Sequence, residues 1–348
     1  AKKYLLAEYG LEKMEFAPTE QLSHGQAQRL LIASMLATEP RILLLDEPTA
    51  FLDASMRSEF YQLLNQLKQH VCILLVDHHA EVAEFADTTW HVDHAGQITE
   101  QAPTEWLAKT QFELCQLNIE LEKTPPLPPF AAHLKLSLNN LGVGYDKKQP
   151  LFTANAELLS GQCAVLSGAN GSGKSTLLNT LAGMTKPLSG SIKCAYQSDL
   201  SQPSRMIKPR EQMMYVFQHP DSHFFFDTVA QELQQLGVTD VEATLSQFGL
   251  AGCAERSPHQ LSEGQKRRLT LLFPIFRERA LIILDEPTFG QDALNTARIT
   301  HLIHSFKSAG HTLIVITHDR KLHQAIADHT WRIQDGQLQV YTGAEVFE

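Results

Sequence analysis

Residues Gly168-Ala169-Asn170-Gly171-Ser172-Gly173-Lys174-Ser175 fit the pattern GxxxxGK[ST], a form of chain suited to holding a polyphosphate. Its glycines let backbone NH groups turn inward on a β-phosphate, and a helix starting there adds the positive end of its dipole. Lys174 would bring a point charge to the β- and γ-phosphates, Ser175 a hydroxyl ligand for Mg2+, and Thr176 the first turn of that helix. Two carboxylates, Asp285 and Glu286, follow the apolar run Leu281-Ile282-Ile283-Leu284. Asp285 is placed to hold Mg2+, directly or through water, and Glu286, one residue on, to polarise an attacking water. His318 follows a second apolar run, Leu313-Ile314-Val315-Ile316, and Thr317. An imidazole there would sense a γ-phosphate and orient both the water and Glu286. The chemistry open to this set is Mg2+-assisted transfer of the terminal phosphoryl group of ATP to water.

Such groups need a sheet to carry them. Cys163-Ala164-Val165-Leu166 reads as the strand before the glycine loop and Thr176-Leu177-Leu178-Asn179-Thr180-Leu181 as the helix after it. The two apolar runs read as buried parallel strands that deliver their carboxyl ends to the same edge, so the class is α/β. An internal repeat organises the chain. Leu22-Ser23-His24-Gly25-Gln26 recurs as Leu261-Ser262-Glu263-Gly264-Gln265, and Leu43-Leu44-Leu45-Asp46-Glu47-Pro48-Thr49 as Ile282-Ile283-Leu284-Asp285-Glu286-Pro287-Thr288, both 239 residues on. Val76-Asp77-His78 recurs as Ile316-Thr317-His318 at 240, which makes Glu47 and His78 the counterparts of Glu286 and His318. The expected division is 1–105, the carboxyl-terminal part of a first copy without a glycine loop; 106–133, a linker; and 134–348, a complete second copy. Equal lengths for the two copies would put the start of the first about 105 residues before Ala1, so the chain is expected to be a fragment. Thr124-Pro125-Pro126-Leu127-Pro128-Pro129 should be extended and stiff, and Pro274 should kink the helix it interrupts.

Composition narrows the classes. The chain has 348 residues, enough for about two domains, and 43% hydrophobic content. The chain contains no apolar run of about 18 residues, the length needed to span a bilayer, so a cytoplasmic location is expected. Net charge is −10, falling as −9 on residues 1–105, −1 on 106–133 and 0 on 134–348, which is not the basic footprint of a nucleic-acid binder. The five cysteines show no zinc or redox spacing and read as buried small hydrophobes. His91 and His94, in a hairpin-like stretch, lack the further partners a metal needs.

The Leu-Ser-x-Gly-Gln pentapeptide, joined to the glycine loop and the Asp-Glu pair, resembles the nucleotide-binding subunits of ATP-binding-cassette (ABC) transporters. The resemblance implies a P-loop NTPase fold with a RecA-like core and antiparallel β and α-helical subdomains, as two cassettes in tandem, the first truncated. It implies that Ser23, Gly25 and Gln26 of one copy, and Ser262, Gly264 and Gln265 of the other, reach the γ-phosphate held by the opposite cassette, with Asp53 and Asp292 contributing across the interface. Loop 168–175 would thus face signature 22–26, and both copies would hydrolyse ATP in the complete protein. Tyr145 matches the aromatic that stacks on adenine, a buried core tyrosine being the other reading; Gln218 matches the glutamine that contacts Mg2+ and water. His24 and Glu263 stand where the family often has glycine, and Asp77 where it has threonine.

Phe217-Gln218-His219-Pro220-Asp221-Ser222-His223-Phe224 and Thr228-Val229-Ala230-Gln231-Glu232-Leu233 are similar to the matching segment of energy-coupling-factor ATPases, which usually have Asn and Gln at His219 and His223. Phe224-Phe225-Phe226 is either core or a groove for a membrane subunit. That similarity implies bacterial uptake of a vitamin or transition-metal ion, with a transmembrane coupling protein and a substrate-binding component as partners and a place on the inner face of the membrane. The alternative is a soluble twin-cassette ATPase acting on the ribosome or DNA. The short, proline-rich, slightly acidic linker disfavours it, and no nucleic-acid partner is expected.

Overall fold

The computed structural model describes residues 18–19, 24–49, 54–77, 79–92, 96–122, 126–146, 149–169, 171–198 and 204–344. They fall into two compact units, Ala1–Gln116 and Leu117–Glu348.

In the first unit, helix α1 (His24–Leu36) leads to strand β1 (Ile42–Asp46), helix α2 (Ala54–Leu67) and strand β2 (Cys72–Val76). β1 and β2 pair in parallel, Ile42 opposite Cys72 and Asp46 opposite Val76. Leu43 and Leu45 are buried with Ile32, Phe60 and Leu64, while Ile42 and Leu44 point to the other, exposed face. Alternation follows from the period of two along a strand. It also corrects the reading of the cysteines: Cys72 shares Ile42's exposed face, and Cys115 lies on a helix that buries only Leu117, so both are exposed. Cys163, Cys194 and Cys253 are buried. A hairpin of β3 (Thr89–Val92) and β4 (Ile98–Gln101) follows.

The segment expected as linker is helical in its first part. Helix α3 runs Pro103–Glu122, with proline at its first position, where a missing NH costs nothing, and with good helix formers through Leu107-Ala108-Lys109 and Phe112-Glu113-Leu114. Residues 126–132 are irregular, and they are docked: Phe130 NH donates to Ala309 O at 2.6 Å, and its ring stacks on His311 at 4.5 Å.

The second unit is built on a ten-stranded sheet: β5 (His133–Val143), β6 (Phe152–Leu159), β7 (Cys163–Gly168), β8 (Ser189–Gln197), β9 (Arg205–Ile207), β10 (Met213–Val216), β11 (Leu281–Asp285), β12 (Thr312–Ile316), β13 (His329–Gln334) and β14 (Gln337–Thr342). Their spatial order is β10-β11-β12-β7-β13-β14-β6-β5-β8-β9. From β10 to β13 all neighbours are parallel, whereas β6-β5-β8-β9 pair antiparallel. β11 reads as a continuous apolar run because both faces are covered. Leu281 and Ile283 join one core with Leu177 and Trp331; Ile282 and Leu284 join another with Ile299 and Phe306. A third cluster packs helices α5 (Val229–Gln235), α6 (Val241–Gln247) and α7 (Glu263–Arg277) around Leu233, Leu245 and Leu269. Pro274 lies buried inside α7, which continues past it to Arg277.

Candidate active site

β7 ends in the glycine loop, and helix α4 (Lys174–Leu181) begins where it closes. The backbone there requires glycine. Gly173 has φ 103° and a Cβ on it would lie 2.9 Å from the Phe152 ring; at Gly168, φ 149°, a Cβ would lie 3.0 Å from Ile333 O. Lys174 Nζ donates to Gly168 O at 2.6 Å and Ala169 O at 3.1 Å, and burial lowers its pKa against the opposing charges of Glu286 and Asp285. Ser175 is exposed beside the loop. Thr176 is buried, with its hydroxyl 3.3 Å from Tyr145 Oη. Tyr145 is 76% exposed, which removes the core-tyrosine reading and leaves a ring displayed next to the loop. Asn170 lies outside the described residues.

β11 delivers Asp285 and then Glu286, whose φ of 49° turns the chain left-handed. A left-handed glutamate is sterically costly and is kept where the surroundings enforce it. Here Glu286 NH donates to Ile316 O at 2.9 Å, clamping the turn to the end of β12. Its carboxylate faces the His318 NH at 3.4 Å and His318 Nε2 at 3.6 Å. Burial pushes the Glu286 pKa up to about 8, partly offset by the His318 NH and raised further by Asp285. Asp285 is also raised, chiefly by burial, and accepts a hydrogen bond from Tyr215 Oη at 3.1 Å. Gln218, half-buried, follows β10 two residues after its end. Lys174, Asp285, Glu286 and His318 therefore meet at the carboxyl ends of the parallel strands. Ser175, Asp285 and Gln218 offer hard oxygen donors of the kind Mg2+ takes, beside a cradle that a single Cβ would fill.

The signature forms a separate cluster. Ser262 caps α7: its Oγ accepts from Gln265 NH at 3.3 Å, and Gln265 Oε1 accepts from Ser262 NH at 3.0 Å, a reciprocal capping box. Sequence reasoning passed over this local role, although Ser-x-x-Gln ahead of an apolar helix is its recognised signal. Gly264 fits closely, since a Cβ there would lie 2.9 Å from Asn295 Nδ2 and 3.0 Å from Gln291 Oε1. Asp292 caps helix α8 (Ala293–Ala309), accepting from the NH of Asn295 at 2.7 Å and its Nδ2 at 3.1 Å.

In the first unit Glu47 repeats the backbone of Glu286, with φ 43° and its NH donating to Val76 O at 2.9 Å. Gly25 and Gln26 fall in the first turn of α1; Ser23, Asp53 and His78 lie outside the described residues. Asp77 acquires a role the sequence did not suggest. It accepts from Thr49 Oγ1 at 2.5 Å, Tyr61 Oη at 3.0 Å and His79 NH at 3.0 Å.

The sequence profile of the ABC transporter family matches residues 3–50 and 151–289. A curated relative, the putative HMP/thiamine import ATP-binding protein YkoD of Bacillus subtilis, is 32% identical over 91% of this chain and 64% of its own length. The chain spans about half to two thirds of the length of such relatives. Among solved structures, cbiO1 from Clostridium perfringens, part of the ABC transporter complex cbiONQ, superposes with a TM-score of 0.50 at 26% identity over 60% of this chain and 88% of its own. The archaeal ribosome recycling factor aABCE1, solved with the ribosomal stalk protein aP1, superposes with a TM-score of 0.65 at 19% identity over 98% of this chain and 68% of its own, a likeness of fold. The glycine loop, the strained glutamate and the matched profile agree: the chain belongs to the ABC transporter family of ATP-binding proteins, with the P-loop ATPase fold.

Proposed function

We propose that the second unit binds and hydrolyses MgATP, and that the complete protein uses this cycle to drive a membrane transporter. The observation that carries the ATPase reading is Glu286: a strained, mostly buried carboxylate held against His318 at the strand edge that also carries Asp285 and faces Lys174. In this reading the glycine loop and Lys174 hold the phosphates, Tyr145 stacks on adenine, and Glu286 takes the proton of the attacking water while His318 fixes its direction. Ser175, Asp285 and Gln218 would hold Mg2+, which would supply positive charge against the phosphates. Glu286→Gln should slow hydrolysis at least about 100-fold while ATP still binds, as expected when a preorganised catalytic group is lost. Near-normal turnover in a phosphate-release assay would remove Glu286 from this role.

Transport is supported by the import protein at 32% identity and by cbiO1, part of an ABC transporter complex, at 26%. We infer an energy-coupling-factor type of uptake, of a vitamin or a transition-metal ion. The protein would then sit on the inner face of the membrane, against a transmembrane coupling protein and a substrate-binding component. No helix among the described residues is long and apolar enough to cross a membrane itself. Co-purification of small membrane proteins with the full-length protein, and identification of the ligand they hold, tests this reading. Recovery of ribosomes or DNA instead would favour the soluble twin-cassette alternative. The same reading pairs loop 168–175 with signature 22–26 of the first copy and leaves Ser262, Gly264, Gln265 and Asp292 to serve the first copy's nucleotide. Glu47 and His78 would act there.

A further inference from the structure

Gln218 lies between β10 and the single helical turn Pro220–His223, outside any regular element. Three bonds hold the backbone of Phe217-Gln218, two at Phe217 and one at Gln218. Phe217 NH donates to His223 Nε2 at 2.9 Å, Arg267 Nη1 donates to Phe217 O at 3.0 Å, and Arg267 Nη2 donates to Gln218 O. Arg267 is 1% exposed and bonds to these two successive carbonyls through its two terminal nitrogens, the planar fork of the guanidinium holding both at once. It projects from α7, five residues beyond the signature serine. Its neighbour Lys266 anchors the same turn from the same helix, reaching Asp221 at 2.8 Å.

His223 completes the bracket. It is buried, and burial together with the Arg267 charge drives its pKa down to about 4, so its Nε2 stays an acceptor at neutral pH. Its ring stacks on Phe217 at 5.1 Å; on the other side Phe217 meets Tyr215 at 4.4 Å, and Tyr215 donates to Asp285. A continuous set of contacts thus runs from the signature helix, through Phe217, the residue before Gln218, and Tyr215, to the carboxylate placed to bind Mg2+.

We propose that Arg267 and His223 are positioning residues for Gln218, tying its backbone to helix α7 so that the signature helix and the glutamine move as one body. The proposal rests on the ATPase reading above. It also makes the histidine substitution intelligible: at position 223 the requirement is a hydrogen-bond acceptor, which a glutamine would equally supply. In the first copy Gln28 stands at the position of Arg267.

The test uses the full-length protein with Arg267→Met, His223→Leu, His223→Gln and Gln218→Ala. Amide hydrogen exchange at Phe217 should speed at least about tenfold in Arg267→Met and His223→Leu and stay slow in His223→Gln. The kcat for ATP should fall at least about tenfold in the first two, with KM within about twofold, because a misplaced water-orienting group costs turnover rather than nucleotide binding. Adding Arg267→Met to Gln218→Ala should cost nothing further, since both act through one group. The positioning role is overturned if Phe217 exchange and kcat are unchanged in both variants, if His223→Gln is as impaired as His223→Leu, or if the Arg267 and Gln218 effects multiply. If Arg267→Met does not fold, the two His223 variants decide by the same readouts. If the wild-type protein hydrolyses ATP and Gln218→Ala slows it but neither bracket variant does, the bracket alone has failed. Absence of any MgATP turnover in the wild type would fell both readings.

Discussion

Single residues here carry charge in places where charge is costly. Glu286 is pushed toward protonation by burial, and Lys174 and the His318 NH are the groups that favour its anion. His223 and His323 are the reverse case: burial lowers both to about 4 from 6.5. Below 6.5 the unfolded chain takes up protons that the folded chain refuses down to about pH 4, so each histidine costs stability across that window as pH falls. A difference of about 2.5 pH units corresponds to about 3 kcal/mol per histidine. Urea unfolding of the second unit should accordingly weaken from pH 6.5 to 4, and His223→Gln should flatten part of that slope. An unchanged slope in the variant would show that His223 takes up its proton in the folded chain as readily as in the unfolded one. Asp77 makes a different point. Read as a departure from the expected threonine it had no consequence, and in the fold it collects two buried hydroxyls from distant positions 49 and 61.

At the scale of elements, helix termini join structure to function. Ser262 and Thr228 both cap helices by the same reciprocal box, Thr228 with Gln231 at the start of α5. Alanine at either site should cost about 1 kcal/mol in urea unfolding. Only Ser262→Ala should also lower ATP turnover, because only that cap is proposed to meet a phosphate. Equal turnover in the two variants would reduce the signature serine to its structural role. The capping pattern was readable from four residues, since its partners are local. The bracket on Gln218 was not. An arginine on a helix reads as a solvated charge until the fold shows that α7 turns position 267 inward against the β10 connection.

At the scale of the whole chain, the repeat extends from sequence to backbone. Glu47 and Glu286 share the left-handed turn and the bond to the neighbouring strand, and β1–β2 has the parallel register of β11–β12. The expectation that the first copy's signature completes the second copy's site comes from the resemblance to ABC transporters, not from this shared backbone. Ser23→Arg in the full-length protein should therefore weaken ATP-dependent closure on loop 168–175, followed by protection of that loop from proteolysis. If Ser262→Arg alone had this effect, each cassette would be completing its own site.

The sequence by itself determined the glycine loop, the paired carboxylates, the histidine and the duplicated order of motifs, because each depends on residue type at short spacing and on the period of apolar runs. It also determined the α/β class, since strands buried on both faces must be apolar throughout. Tertiary structure decided the rest. It placed Tyr145 in the open, turned Glu286 left-handed against Ile316, left Cys72 on an exposed sheet face, and extended α3 through the expected linker to Glu122. Each of these depends on which partner arrives from a distant part of the chain, and a one-dimensional pattern carries no record of that.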